Sequence, residues 1–205
     1  EVFNRVNCHD STEDEYVLVG TSNQGTPYWV NKLGTEADIL ICTGNIEYHW
    51  FVGYSGGAKA VLPGACNYET IKHNHAMILK EGTGTGCLEG NPVRADIDEI
   101  LNFMPIHFIV NVVLDDKKQI LKSFAGHPIN AHRAGCAYLD GIYGKEISQK
   151  ADVVIASCAG HPKDINVYQA QKALDNAFRA VKKGGTIILV ASCKEGFGEK
   201  TFEEW

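Results

Sequence analysis

The sequence has no apolar run near the ~20 residues that a membrane-spanning helix requires. It has no excess of positive charge either. Nineteen Lys and Arg face 25 Asp and Glu, a formal net charge of −6, which argues against nucleic acid or an anionic membrane as the main partner. There is no Cys-x-x-Cys, and the seven cysteines at 8, 42, 66, 87, 136, 158 and 193 are odd in number. A disulfide framework or a zinc ribbon is therefore not expected. The plain reading is reduced, mostly buried cysteines in a cytoplasmic protein. Glu1-Val2-Phe3-Asn4-Arg5 does not open a signal peptide.

What is present is a globular α/β pattern. At 44% apolar and 21% charged, the chain can bury a packed core. Its 205 residues are long for one compact domain and short for two complete ones. Runs of strand length recur at Tyr16–Val19, Ile39–Cys42, His107–Leu114, Val153–Ser157 and Thr186–Ala191. Several are continuously apolar, as strands covered on both faces would be, so mostly parallel sheets are expected. Helical patterns lie between them. Asp164–Lys182 opens on an acid, carries apolar residues at helical spacing and stops at Gly184-Gly185. Pro92–Met104 and Asn130–Lys150 are further helix candidates, and Asp115–Lys118 reads as a hairpin turn.

The alternation predicts two Rossmann-like α/β units. Ala37-Asp38-Ile39-Leu40-Ile41 and Ala151-Asp152-Val153-Val154-Ile155 echo one another, each leading to a Gly-containing turn with a histidine nearby (His49, His161). A boundary near Gly144–Gln149 divides the chain into 1–145 and 146–205. Glu1 starts in mid-pattern and Phe202-Glu203-Glu204-Trp205 stops where a helix begins, so a fragment cut at both ends is expected.

The stretch that draws chemistry is His49-Trp50-Phe51-Val52-Gly53-Tyr54-Ser55-Gly56-Gly57-Ala58-Lys59. Its glycines allow close approach of a ligand to the backbone. A helix starting near Ser55 would present free N–H groups to an anion. It is no Walker loop, because Ala58 separates Gly57 from Lys59 and no Ser or Thr follows for magnesium. A structural turn with a surface lysine fits the loop equally well. His49 follows a strand end, where α/β folds place reactive groups, and an imidazole suits general acid–base work near neutral pH. His73 and His75, two apart, cannot share a helix face, so one at most points into a site. That one could supply a single metal ligand if a cofactor supplies the rest. Each histidine also reads as an ordinary satisfied or exposed imidazole. Gln169 and Lys172 share a helix face and could grip a small carboxylate, or lie at a solvated helix edge.

Other polar clusters carry less. His9-Asp10, His127-Pro128 and His132-Arg133 have no partner at metal-ligand spacing. Glu81-Gly82-Thr83-Gly84-Thr85-Gly86 reads as a flexible loop or lid; it is not placed as the G-x-G-x-x-G of a nicotinamide-dependent dehydrogenase. Asp96-Ile97-Asp98-Glu99 reads as a solvated helix face.

Four blocks together resemble the nickel-dependent lactate racemase family. They are Thr43-Gly44-Asn45-Ile46-Glu47-x-His49; Gly53-Tyr54-Ser55-Gly56-Gly57-x-Lys59-Ala60-x-x-Pro63-Gly64; Glu69-Thr70-Ile71 with Asn74-His75; and Pro162-Lys163-Asp164-Ile165-Asn166-x-Tyr168-Gln169-x-x-Lys172. The resemblance implies a racemase or epimerase of a small 2-hydroxy acid. It implies nickel held in a pyridinium-3-thioamide-5-thiocarboxylic acid mononucleotide, the nickel pincer nucleotide, tethered to Lys59. His75 would be the protein ligand to nickel and His49 one of two acid–base histidines. Tyr54, Ser55, Gly56 and Gly57 would lie near the cofactor, and Gln169 and Lys172 would hold substrate. Residues 1–145 would be the second half of the cofactor-binding domain and 146–205 the first half of the C-terminal domain. Cofactor-biosynthesis proteins and the remainder of the chain are the implied partners. Ala58 stands where the family often has Arg, which implies a different anion affinity or substrate preference. The Asp, Arg and second catalytic histidine of the family's first half and the late segment of its second domain have no counterpart, so these 205 residues alone are expected to be inactive. A non-catalytic nucleotide- or cofactor-binding relative is the alternative, and an NAD-dependent dehydrogenase a further one.

Overall fold

The computed structural model describes residues 6–204; Glu1–Arg5 and Trp205, on which the expectations about a leader and a cut end partly rest, lie outside the described residues. The chain forms two units, Glu1–Gly144 and Lys145–Trp205.

In the first unit β1 (Tyr16–Thr21) and β2 (Pro27–Asn31) make an antiparallel hairpin, and the short α1 (Lys32–Thr35) follows. A three-stranded sheet in the order β3-β6-β7 is built from β3 (Ile41–Asn45), β6 (Phe108–Leu114) and β7 (Ile120–Gly126). β3 runs parallel to β6, and β6 antiparallel to β7. The Asp115–Lys118 turn joins β6 to β7. Asp115 caps it by accepting from the N–H groups of Lys117 and Gln119, both at 2.8 Å, and Lys118 takes φ 64°. A second small hairpin joins β4 (Tyr48–His49) to β5 (Gly53–Tyr54). Helices α2 (Tyr68–His75), α3 (Pro92–Glu99) and α4 (Pro128–Tyr143) complete the unit. Asn67, Asn91 and His127 cap them, each accepting from a free N–H of the first turn. Pro92 and Pro128 occupy first-turn positions where a missing N–H costs nothing.

The sheets are mixed rather than mostly parallel. Strands β1, β4 and β7 each pair antiparallel with a neighbour, because short turns connect them and only a long crossover can connect parallel strands.

Two apolar clusters form the core of this unit. One gathers Phe51, Val52, Leu62, Val93, Ile97 and Ile109; the other gathers Ile46, Tyr54, Val113, Cys136 and Leu139. The chain from 51 to 62 therefore threads both clusters. Burying each large side chain contributes about 1.5–3 kcal/mol, which fixes this segment on both sides.

In the second unit β8 (Ala151–Ser157) pairs parallel with β9 (Val181–Val190). The expected helix begins at Asn166, which accepts from the Gln169 N–H, rather than at Asp164. It runs as α5 (Val167–Ala170) and α6 (Lys172–Ala180). β9 starts at once, so Lys182 and the two glycines belong to the strand. They form a bulge between the Ala151–Val181 and Val153–Thr186 pairs, with Gly184 at φ 79°. α7 (Lys200–Glu204) follows. Among the described residues, no helix is long and apolar enough to cross a membrane.

Candidate functional site

The β4–β5 hairpin carries His49 immediately before its turn, with His49 paired to Gly53. Gly53 takes φ +87°, and a Cβ there would lie 2.1 Å from the Cys87 carbonyl oxygen, so no side chain fits. The segment expected as a lid is tied down on this turn. Gly84 and Gly86 donate backbone N–H groups to the carbonyls of Phe51 (3.3 Å) and Gly53 (3.0 Å), and Asn91 Nδ2 donates to the Phe51 carbonyl at 2.8 Å. The half-buried His49 ring accepts at Nδ1 from the Val52 N–H at 3.4 Å and lies edge-on to Phe51, centroids 4.6 Å apart.

The Tyr54–Gly57 segment is held by side chains from several elements. Arg94 on α3 donates to the Tyr54 carbonyl. His132 on α4 donates through Nε2 to the Ser55 carbonyl at 2.8 Å. Asn111 on β6 accepts from the Gly57 N–H at 2.8 Å. Ser55 Oγ donates to the Asn45 carbonyl at 2.8 Å and accepts from the Glu47 N–H at 2.9 Å. The expectation of a helix opening at Ser55 with free N–H groups is corrected: the element is a four-residue 3-10 turn, Gly57–Ala60. The N–H groups of Ser55 and Gly57 are already taken, by the Glu47 carbonyl and by Asn111. The Tyr54 hydroxyl likewise meets Asp140, at 2.7 and 2.8 Å from its two oxygens. What this segment offers a ligand is position more than free donors. The side chain of Gly57 must be absent, since a Cβ would lie 2.9 Å from the His132 ring.

Lys59 projects from the 3-10 turn, partly buried. Its Nζ has no hydrogen-bond or ion-pair partner among the described residues. Burial, and then the neighbouring Arg94 charge, push its pKa below the ordinary lysine range against a smaller pull from Glu47. That favours the neutral, nucleophilic amine.

His73 and His75 separate as their spacing requires: His73 is exposed and His75 half-buried. His75 Nδ1 is buried without a hydrogen-bond partner. Burial first, and then the Lys59 charge, lower its pKa against a weaker pull from the Ile71 carbonyl. A neutral imidazole with an uncommitted nitrogen is the form a metal takes. Among the described residues no three His, Cys, Asp or Glu side chains converge on a metal position, so His75 could contribute one ligand only.

The expectation of a solvated helix face at 96–99 is corrected as well. Asp96 is fully buried and accepts from Ser22 Oγ and from Asn74 Nδ2, the latter at 2.7 Å. Asp98 is 15% exposed and pairs with both Arg94 and Arg133. Arg94, at 1% exposure, is almost completely buried. His132 is buried too; burial, and then Arg94, depress its pKa to about 4, so it is neutral and donates to Ser55. Sequence spacing missed Arg94, Asp98, Asn111 and His132. Their one legible signal is the run of helical polar residues, Arg94-x-x-x-Asp98, which reads as a surface i, i+4 pair.

In the second unit Lys172 Nζ donates to Gln169 Oε1 at 2.8 Å and lies 5.9 Å from the centroid of the Tyr168 ring. The two side chains expected to grip a carboxylate are therefore paired with each other. The Gln169 amide N–H groups and the rest of the ammonium remain available as donors.

The family model for the lactate racemase N-terminal domain matches residues 1–86 and that for the lactate racemase C-terminal domain matches residues 147–205. The chain is 40% identical over 200 residues to a lactate racemase of Thermoanaerobacterium thermosaccharolyticum, covering 96% of this chain and 47% of that protein. It is 40% identical to one of Lactiplantibacillus plantarum over 201 residues, covering 95% and 46%. It thus spans about half the length of the curated relatives it matches. The lactate racemase apoprotein structure from T. thermosaccharolyticum superposes with a TM-score of 0.92 at 39% identity, over 96% of this chain and 48% of that one. A Thermotoga maritima protein shares the fold, with a TM-score of 0.58 at 22% identity over 79% of this chain and 44% of that one.

Proposed function

The chain belongs to the lactate racemase family, and on that footing we propose that the whole protein interconverts the enantiomers of a small 2-hydroxy acid, lactate or a close analogue. The observation that carries this reading is the surroundings of Lys59 and His75. Each is partly buried; among the described residues the Lys59 amine has no hydrogen-bond or ion-pair partner and His75 Nδ1 is buried without one. Buried polar groups are normally satisfied, and the unsatisfied His75 Nδ1, near enough to Lys59 to feel its charge, marks a place kept for something else.

These residues fit a tethered metal cofactor. Lys59 would carry the nickel pincer nucleotide through its amine, and His75 would add an imidazole ligand, a donor suited to nickel. When bound, that group supplies a donor and acceptor for the carbon-bound hydrogen as hydride. The protein's own part is proton transfer and grip. His49 takes the substrate hydroxyl proton in one direction and returns it in the other. With Nδ1 accepting from Val52, a neutral ring carries its proton on Nε2, the donating form. Taking a proton at Nε2 means placing one on Nδ1 and releasing the Val52 contact. At 3.4 Å that contact is long. Gln169 and Lys172 hold the carboxylate, the lysine by charge and the amide by orientation. We read residues 1–145 as the end of the cofactor-binding domain and 146–205 as the start of the C-terminal domain, both Rossmann-like. Proteins that make the cofactor are implied partners.

The test is His49→Gln in the full-length, cofactor-loaded protein, with D-lactate formed from pure L-lactate followed by chiral chromatography. Loss of a proton-transfer group lowers the rate by about 10²–10⁴-fold. A variant as fast as the parent removes His49 from the chemistry. A parent that shows no racemisation of lactate or related hydroxy acids removes the reaction.

A further inference from the structure

Histidine rings that bind metals are normally oriented by a hydrogen bond from their second nitrogen to a carboxylate, carbonyl or water. Among the described residues His75 Nδ1 is buried with no well-formed hydrogen bond, and the Ile71 backbone carbonyl acts on the ring only as a weak partner. Imidazole χ2 is intrinsically broad, so some other contact must hold this ring. The ring that touches it is Phe51, edge-on at 5.1 Å and 69°. The same Phe51 lies edge-on to His49, at 4.6 Å and 80°. One aromatic ring therefore contacts both imidazoles of the candidate site. It is itself well fixed. Phe51 is 5% exposed and Trp50 packs on it at 4.9 Å. Its carbonyl takes donors from Asn91 and Gly84 at 2.8 and 3.3 Å.

We propose that Phe51 is a positioning residue that sets the orientation of His75 toward a metal, where no well-formed hydrogen bond at Nδ1 does so, and that the same ring helps to orient His49 toward the substrate. The inference rests on the assignment of His75 as metal ligand. Edge-to-face contact places the positive rim of one ring against the negative face of another, so its directionality depends on aromatic character and not on volume alone. A leucine of similar bulk fills the space without restraining either imidazole.

The experiment uses the full-length protein loaded with its nickel cofactor, as parent and as Phe51→Leu, Phe51→Tyr and His75→Ala. The readouts are nickel released to a chelator over time and the absorption spectrum of the bound metal. Phe51→Leu is expected to shed nickel about 10-fold faster with an altered spectrum, and Phe51→Tyr, which keeps the ring, to behave within about 2-fold of the parent. His75→Ala separates the two claims: it must shed nickel faster than any other variant. If it retains nickel like the parent, the ligand assignment fails and the proposal falls with it. If His75→Ala sheds nickel but Phe51→Leu matches the parent, the proposal alone is overturned. Equal impairment of Phe51→Leu and Phe51→Tyr also overturns it, since volume and not the ring would then matter. Should the leucine variant not fold, Phe51→Met takes its place with the same outcomes.

Discussion

The buried guanidinium of Arg94 donates to the Tyr54 carbonyl, at the head of the loop that carries Lys59, while its other arm meets Asp98 at 3.3 Å. Asp98 in turn pairs with Arg133, which also contacts His132, the residue that holds the Ser55 carbonyl. One carboxylate thus organises two arginines, and through them two successive carbonyls of the loop. Removing the carboxylate is predicted to cost more than removing the arginine. Asp98→Ala leaves Arg94 as a buried cation without a counter-charge, a loss of about 3–5 kcal/mol. Arg94→Met leaves Asp98 paired with Arg133 and strands mainly the Tyr54 carbonyl, about 1–3 kcal/mol. Urea unfolding of the two variants checks the order; a larger loss for Arg94→Met would contradict this description of the network.

His132 makes the fold sensitive to acid. Its folded pKa, about 4, lies below the ordinary 6.5, so the unfolded chain binds the proton first as pH falls. Stability is therefore full above about 6.5 and lost progressively down to about 4, by up to about 3 kcal/mol from this residue. His132→Gln can still donate to Ser55 and should flatten that slope. Unfolding free energies measured at steps between these pH values settle the point; an unchanged slope assigns the acid sensitivity elsewhere.

Lys59 illustrates what was and was not legible in the sequence. The motif Gly53-Tyr54-Ser55-Gly56-Gly57-x-Lys59 marks the loop, and the strands and the β6–β7 turn could be placed from apolar runs and turn residues. The loop's supports could not. Asp96 and Asp98 sit in a stretch whose charge suggests solvent, and only tertiary pairing with Ser22, Asn74 and two arginines shows them buried. The parallel character of the sheets was overestimated for a related reason. Continuous apolar runs report burial on both faces, not strand direction, and β7 turns back on β6 through a four-residue turn.

A partly buried lysine with no partner among the described residues is a cost that the fold bears. Lys59→Met is therefore predicted to leave the cofactor-free protein as stable as the parent or more stable, by up to about 1 kcal/mol, while abolishing attachment of the cofactor. Thermal unfolding of the unloaded protein tests the first half; clear destabilisation would mean that Lys59 has a structural partner after all.

Every role proposed for this loop depends on attachment of the cofactor to Lys59. The direct measurement is peptide mass mapping of the full-length protein, produced in cells that make the pincer nucleotide, with nickel determined on the same sample. An adduct on the Lys59 peptide is expected, with nickel in proportion to it. An unmodified Lys59 peptide from cells proven to contain the cofactor would contradict that attachment, and would leave this loop a binding element without a tether.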